Sequence, residues 1–264
     1  MTPELCVVRG GGDLATGVVW RLTRAGWPVI VCELSEPLTV RRLVAMSSAV
    51  FDEEIEVEGM VGRLAETPEA AVEIARSGEV GVVVSPSLPQ LGDRSGHVVV
   101  DARIAKRNLD TRIDDGELVI GLGPGFTAGY DCHAVVETKR GHHLGRVLWE
   151  GAAARDTGTP GLVAGKGKER VLRSPKAGPV SWNVSIGDQV ADGQWLGSVA
   201  DLPIMAPFEG VVRGLIMPGV AVRSGTKIGD IDARNDPSAC HEISDKALAV
   251  GGAVVEAVHS WRSR

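Results

Sequence analysis

No run of apolar residues in this chain approaches the length of about 18 that a membrane-spanning helix needs, so no membrane association is expected. Positive charge is also short. There are 28 Lys and Arg against 34 Asp and Glu, a net charge of −6. That leaves no general attraction for a phosphate backbone and argues against nucleic acid as a partner. Cysteine is sparse: Cys6, Cys32, Cys132 and Cys240 form no C-x-x-C pair. They read as free thiols of a reducing compartment, with Cys6 and Cys32 inside apolar runs where a small core residue fits. Cys132 and Cys240 each precede a histidine, but neighbours on a strand point to opposite faces, so no metal site is expected. Tyrosine occurs once, at Tyr130, and no Tyr-x-x-x-Lys pair is present for hydride-transfer chemistry. The first residues, Met-Thr-Pro-Glu-Leu-Cys, lack the basic and apolar regions of a secretory leader, which makes a cytoplasmic location the default expectation.

Glycine is plentiful, and its placement near the start is the most informative feature. Val7-Val8-Arg9-Gly10-Gly11-Gly12-Asp13-Leu14-Ala15-Thr16-Gly17 follows a short apolar run, and a second run, Val29-Ile30-Val31-Cys32, ends in Glu33. The order strand, glycine turn, helix, strand, acid is that of the first unit of a nucleotide-binding α/β domain. Within Gly10-Gly11-Gly12, Gly10 permits the tight turn and Gly12 lets backbone approach a phosphate, while Ala15 lets the helix pack on its strand. The helix N-terminus offers N–H groups and partial positive charge to an anion. Glu33, 23 residues after Gly10, stands where a ribose hydroxyl would be held. Ala15, Val18, Val19 and Leu22 share one helical face, and Gly26 with Pro28 ends the helix. Asp13 departs from the pattern: it can cap the helix but repels a pyrophosphate, a repulsion that Arg9 could offset. Such turns also serve packing alone, so the spacing leaves both roles open.

The alternation continues. Thr67 to Arg76 reads as a helix with Thr67 at the N-cap, Pro68 at the first helical position and Gly78 past its end. Val80 to Val84 is an unbroken apolar strand of the kind a doubly covered sheet requires, and residues 97–101, 118–122 and 134–137 read as further strands. Ligands of open α/β sheets gather at the carboxyl ends of strands, here Glu33, Ser85, Asp101 with Arg103, the glycines from Gly121, and Glu137. Two loops are rich in candidate contacts. From Gly121 to His133, glycines including Gly123 and Gly125 suit close approach by a ligand. From Glu137 to Arg146, the residues Glu137, Arg140 and His142 combine carboxylate, guanidinium and imidazole for anion contacts or proton transfer. For His133 and His142 a plain hydrogen-bonded or surface role stays equally open.

After a Gly/Pro linker at 158–161, the sequence repeats itself at an offset of 32. Pro175, Gly178, Val180, Gly187, Val190, Gly193 and Gly197 recur as Pro207, Gly210, Val212, Gly219, Val222, Gly225 and Gly229. Glycines at turns and alternate valines in a small core explain the pattern. This half-repeat resembles the pseudo-symmetric β-sandwich of biotinyl and lipoyl domains, which carry their cofactor on a lysine in the hairpin joining the halves. The join here, Ser198 to Met205, has no lysine, so no biotin or lipoate attachment is expected. The tail from Ser244 reads as a helix, with Ala247, Leu248, Gly251, Val254, Val255, Val258 and Trp261 on its apolar face. Gly251 and Gly252 each cost ~1 kcal/mol there against alanine, which suggests close packing on another element.

The expected fold is therefore α/β: a Rossmann-like, mostly parallel sheet domain at 1–160, a biotinyl/lipoyl-like module at 168–234, and a C-terminal helix at 241–262 packing on the first domain. The glycine turn, Asp101-Ala102-Arg103-Ile104-Ala105-Lys106-Arg107-Asn108, the Gly121–His133 loop, Glu137-Thr138-Lys139-Arg140-Gly141-His142 and Ile243-Ser244-Asp245-Lys246-Ala247 together resemble the YqeB-type family of selenium-dependent molybdenum hydroxylase accessory proteins. More distantly they are similar to the accessory proteins of xanthine dehydrogenase. The resemblance implies a maturation role with a xanthine-dehydrogenase-like molybdenum hydroxylase as partner, and Lys106 joins the candidate contacts. It assigns no catalytic residue. Two dinucleotides suit the cradle, a molybdopterin dinucleotide and NAD(P). An NAD(P)-dependent oxidoreductase and a non-enzymatic scaffold are the competing readings, and self-association is left open.

Overall fold

The computed structural model describes residues 5–92, 96–156, 158 and 164–263. Met1 to Glu4 and, Gly158 apart, the expected linker at 158–161 lie outside them. The chain forms two compact units that interleave in sequence. One comprises Met1–Pro37, Ala45–Thr157 and Ile243–Arg264, the other Leu38–Val44 and Gly158–Glu242.

The first unit opens with β1 (Cys6–Arg9), α1 (Asp13–Arg24) and β2 (Val29–Glu33). A one-turn helix α2 (Ala49–Asp52) leads into a hairpin of β3 (Glu54–Val57) and β4 (Met60–Ala65). Next come α3 (Pro68–Arg76), β5 (Val80–Val84), β6 (Val98–Asp101) and β7 (Leu118–Leu122). The series closes with β8 (Thr127–Ala128), β9 (Ala134–Val136), β10 (Val147–Leu148) and β11 (Gly151–Ala152). Among the described residues nine strands form one sheet in the order β10-β9-β7-β6-β1-β2-β5-β4-β3; β8 and β11 form a separate ribbon. Pairing is parallel from β9 across to β4, and the two edge strands, β10 and β3, are antiparallel.

The chain moves one way across this sheet from β1 to β2 and the other way from β4 to β5. Right-handed crossovers therefore place α1 and α3 on opposite faces. Val7, Ile30, Cys32, Val99 and Val119 share a core with Ala71 and Ala75 of α3. The Thr67 hydroxyl caps α3 by accepting from the Ala70 N–H at 3.1 Å. On the other face α1 meets the C-terminal helix α4 (Asp245–Arg262), whose N-cap Ser244 accepts from the Ala247 N–H at 3.2 Å. The two helices touch through glycine: a Cβ on Gly17 would lie 2.5 Å from the Ala247 carbonyl, and one on Gly251 would collide with the carbonyl of Gly17. The buried side of α4 is broader than the sequence suggested. Val250, Ala253 and Ala257 are buried, while Leu248 and Val255 are only partly so. A helix that packs on both a sheet and a neighbouring helix buries more than one stripe.

The second unit holds β12 (Val171–Arg173), β13 (Gly178–Trp182), β14 (Gln189–Val190) and β15 (Trp195–Val199). Four more strands follow: β16 (Leu202–Met205), β17 (Gly210–Leu215), β18 (Ala221–Val222) and β19 (Lys227–Asp232). The sheets are β12-β19-β17-β14 and β16-β15-β13-β18, all antiparallel. The first sheet takes β14 from the first half of the repeat and β17 and β19 from the second, and the other takes β13 and β15 from the first and β18 from the second, so the halves interlock. Both sheets feed one core, including Leu196, Val199, Ile228 and Ile231, each with no exposed surface. Each such side chain stabilises the fold by about 1.5–3 kcal/mol over its exposed state. Val40 joins this core from the early segment, its carbonyl occupying the space that a side chain on Gly214 would fill.

Candidate functional site

The carboxyl edge of the parallel sheet collects most of the predicted residues. Gly10 turns the chain with φ +92°, a conformation glycine adopts without strain, and a Cβ there would meet the Arg103 backbone at 3.1 Å. Gly11 is equally crowded, its missing side chain facing the Ser47 backbone nitrogen at 2.8 Å. Segment 46–48 is stitched across the turn: the Ser47 N–H donates to the Gly11 carbonyl at 2.9 Å and the Met46 N–H to the Thr16 hydroxyl at 2.9 Å. Gly12 caps α1 with φ −67° and ψ 179°, extended backbone open to any residue. Among the described residues the N–H groups of Gly12 and Ala15 have no acceptor within the chain. The open face of the turn is thus the start of α1.

Glu33 reaches that turn from β2. Its Oε2 accepts from the Gly11 N–H and its Oε1 from the Leu34 N–H, both at 2.7 Å. Burial holds its carboxyl above the ordinary glutamate value, against the downward pull of those N–H groups. Leu34 and Val84, at the ends of β2 and β5, are 49% and 42% exposed and leave apolar surface beside Glu33. Lys246, in the first turn of α4, stands among Asp13, Glu137 and Asp245, with Arg140 as a like charge. Burial, then the Arg140 charge, push its ammonium below the usual lysine range. Sequence reasoning missed this cation, although it lies inside one of the motifs that carried the family resemblance.

Arg9 does not face Asp13. Strand alternation puts it on the side of Val7, where it is 2% exposed and donates to the Thr111 hydroxyl and to Asp110, each at 2.8 Å. Asp101 is buried at the end of β6, gripped by Arg103 and by the Thr111 hydroxyl at 2.6 Å. Hydrogen bonding from Arg9 holds the Asp110 carboxyl below the usual aspartate range. This network fixes the loop after β6 across the sheet edge. Lys106 pairs with Asp156 at 2.7 Å. Gly123 and Gly125 have φ of +78° and +110°, and a Cβ on either would strike Thr138 or the Arg107 backbone; here the close approach is by the chain itself.

Glu137 is 4% exposed; its carboxylate accepts from the N–H groups of Lys139 and Ala154, both at 2.7 Å, and organises the following loop. Arg140 forks onto Asp245 at 2.8 and 2.9 Å, and His142 is exposed on the same loop. His133 lies apart, at the amino end of β9. Its Nδ1 accepts from the Val119 N–H at 3.0 Å, its ring sits 4.8 Å from that of Trp261, and burial lowers its pKa. All four cysteines are free and buried, with burial pushing Cys32 and Cys132 up to about 12. Among the described residues no group of His, Cys, Asp and Glu has the arrangement of a metal site, and no helix is long and apolar enough to cross a membrane. The edge can bind an anion against backbone N–H groups and a lysine; none of these thiols is poised for nucleophilic chemistry at neutral pH.

No family model matches the chain. The protein called "Uncharacterized protein YqeB" of Escherichia coli (strain K12) is 46% identical over 255 residues, which is 97% of this chain and 47% of that protein. The chain spans about half the length of this curated relative, and the likeness to YqeB-type sequences extends over almost all of it. Among solved structures, the product-bound ectoine utilization protein EutE (DoeB) from Ruegeria pomeroyi is 15% identical, covering 86% of this chain and 57% of that one, with a TM-score of 0.23. An aspartoacylase family protein from Mesorhizobium loti is 8% identical, with 88% and 85% covered and a TM-score of 0.26. At such scores neither likeness bears on fold or function.

Proposed function

We propose that the chain is an accessory or maturation protein that holds a nucleotide-containing cofactor, a molybdopterin dinucleotide in the first instance, for a selenium-dependent, xanthine-dehydrogenase-like molybdenum hydroxylase. In this reading the first unit is a Rossmann-like nucleotide-binding domain and the second a biotinyl/lipoyl-like module that serves as a docking platform. One observation carries the ligand class: among the described residues the N–H groups of Gly12 and Ala15 at the start of α1 have no acceptor, beside the half-buried Lys246, at the carboxyl edge where the direction of chain crossing reverses. Leu34 and Val84 supply apolar surface for a base beside Glu33. The hydroxylase partner rests on the motif resemblance alone.

An accessory role is favoured over a dehydrogenase by the state of His133 and Tyr130. His133 is turned into a structural contact at the opposite edge, and Tyr130 is 80% exposed. Calorimetric titration of the purified protein with NAD, NADP and a molybdopterin dinucleotide separates the readings. The proposal expects the molybdopterin dinucleotide to bind tightest and without turnover. Tight nicotinamide binding with hydride transfer would establish the oxidoreductase instead, and binding of none of the three would leave a scaffold.

A further inference from the structure

The outer face of the β12-β19-β17-β14 sheet carries a charge cluster that the cofactor site does not use. Ile231 points into the core, so its neighbours on alternate positions, Asp230 and Asp232, point away from it, and both are 2% exposed. Each already has a cation. Arg170 donates to both oxygens of Asp230, and Arg234 forks onto Asp232 through Nε at 3.0 Å and Nη2 at 2.6 Å. A register shift between Val212 and Gly214 makes a bulge that aims Arg213 at the same two carboxylates. It arrives too far from both: Nη1 is 3.8 Å from Asp230 and Nε 3.6 Å from Asp232. Its Nε is buried and has no hydrogen-bond partner among the described residues, and the Nε of Arg170 is in the same condition. The Arg213 side chain is 13% exposed. Arg41, whose Nη2 donates to the carbonyls of Ala239 and Glu242 at 2.8 Å, adds a further positive charge.

A buried guanidinium nitrogen without a hydrogen bond is costly, and one beside other guanidinium groups more so. Arg213 is a third guanidinium at two carboxylates that each already hold one, a local excess of positive charge on a chain whose net charge is −6. A singly charged carboxylate offsets only part of it, whereas a doubly charged phosphate group offsets more and accepts from several N–H donors at once. We propose that the second unit carries a separate phosphate-binding site centred on Arg213, for free phosphate or the phosphate of a small phosphomonoester.

The test is calorimetric titration of the full chain with inorganic phosphate, and in a second arm with phosphoserine, at fixed ionic strength set by chloride. Wild type is expected to bind one or the other saturably, with the tighter arm naming the source. Arg213→Met is expected to lose at least tenfold in affinity, and Gly12→Val to keep it, which separates this site from the turn of α1. The side-chain Nε–H signals of isotope-labelled wild type should shift with the same midpoint, a readout that survives if Arg213→Met fails to fold. Absence of saturable binding, an affinity unchanged in Arg213→Met, or an unmoved Arg213 signal would overturn the proposal.

Discussion

Glu33 and Gly12 divide the glycine turn between them. Glu33 occupies the Gly11 N–H with its own carboxylate, and Gly12 opens the helix toward solvent. Because folding raises the pKa of Glu33, the folded state takes up this proton first. The group adds stability below the ordinary glutamate value and loses it as pH climbs through the raised one. Protonation also removes a negative charge from the turn. Affinity for a phosphate-bearing ligand is therefore predicted to rise as pH falls through that window and to lose this dependence in Glu33→Gln; equal slopes in the two proteins would contradict the placement. Gly10 and Gly12 should differ sharply on substitution. Gly10→Ala forces a side chain into a left-handed conformation against the Arg103 backbone and is predicted to cost about 1–3 kcal/mol in denaturant unfolding. Gly12→Val sits in extended backbone and should leave stability within about 1 kcal/mol while abolishing dinucleotide binding.

At the scale of elements, the pairing of α1 with α4 is made by Gly17 and Gly251. Gly17→Ala or Gly251→Ala is predicted to destabilise by about 1–3 kcal/mol, as overpacking does. Gly252→Ala, with nothing within 4 Å of its new Cβ, should be neutral or gain up to ~1 kcal/mol. Urea titrations of the three variants check the contrast, and equal effects at Gly251 and Gly252 would refute the glycine-mediated crossing. Much of this architecture was legible in sequence. Local chemistry specifies β1, α1 and β2, the Thr67 cap of α3 and the Ser244 cap of α4, because each depends on neighbours in the chain. The hairpin of β3 and β4 escaped notice, its alternation being short and half-exposed. At the site, Asp101 and Glu137 stand out in sequence as acids at strand ends. Their engagement with Arg103, Thr111 and backbone N–H groups, like the arrival of Lys246, depends on residues far along the chain, which no local pattern encodes.

At the scale of the molecule, the chain alternates between its two units, and segment Leu38–Val44 belongs with the second although only residues 34–37 separate it from β2. Nothing in its composition marks that membership; the packing of Val40 into the interlocked core and the bonds from Arg41 and Arg42 to the carbonyls of Ala239, Glu242 and Leu215 do. Each unit then carries one anion-seeking feature, the start of α1 in the first and Arg213 in the second, against a net charge of −6. The measurement that bears most directly on the function is the backbone amide spectrum of the labelled full chain during titration with a molybdopterin dinucleotide. The Gly12 and Ala15 signals are predicted to move first and together, saturably, with Lys246 regaining an ordinary lysine pKa as the phosphates arrive. Binding that leaves those two amides in place, or no binding, would contradict a cofactor cradle at the glycine turn.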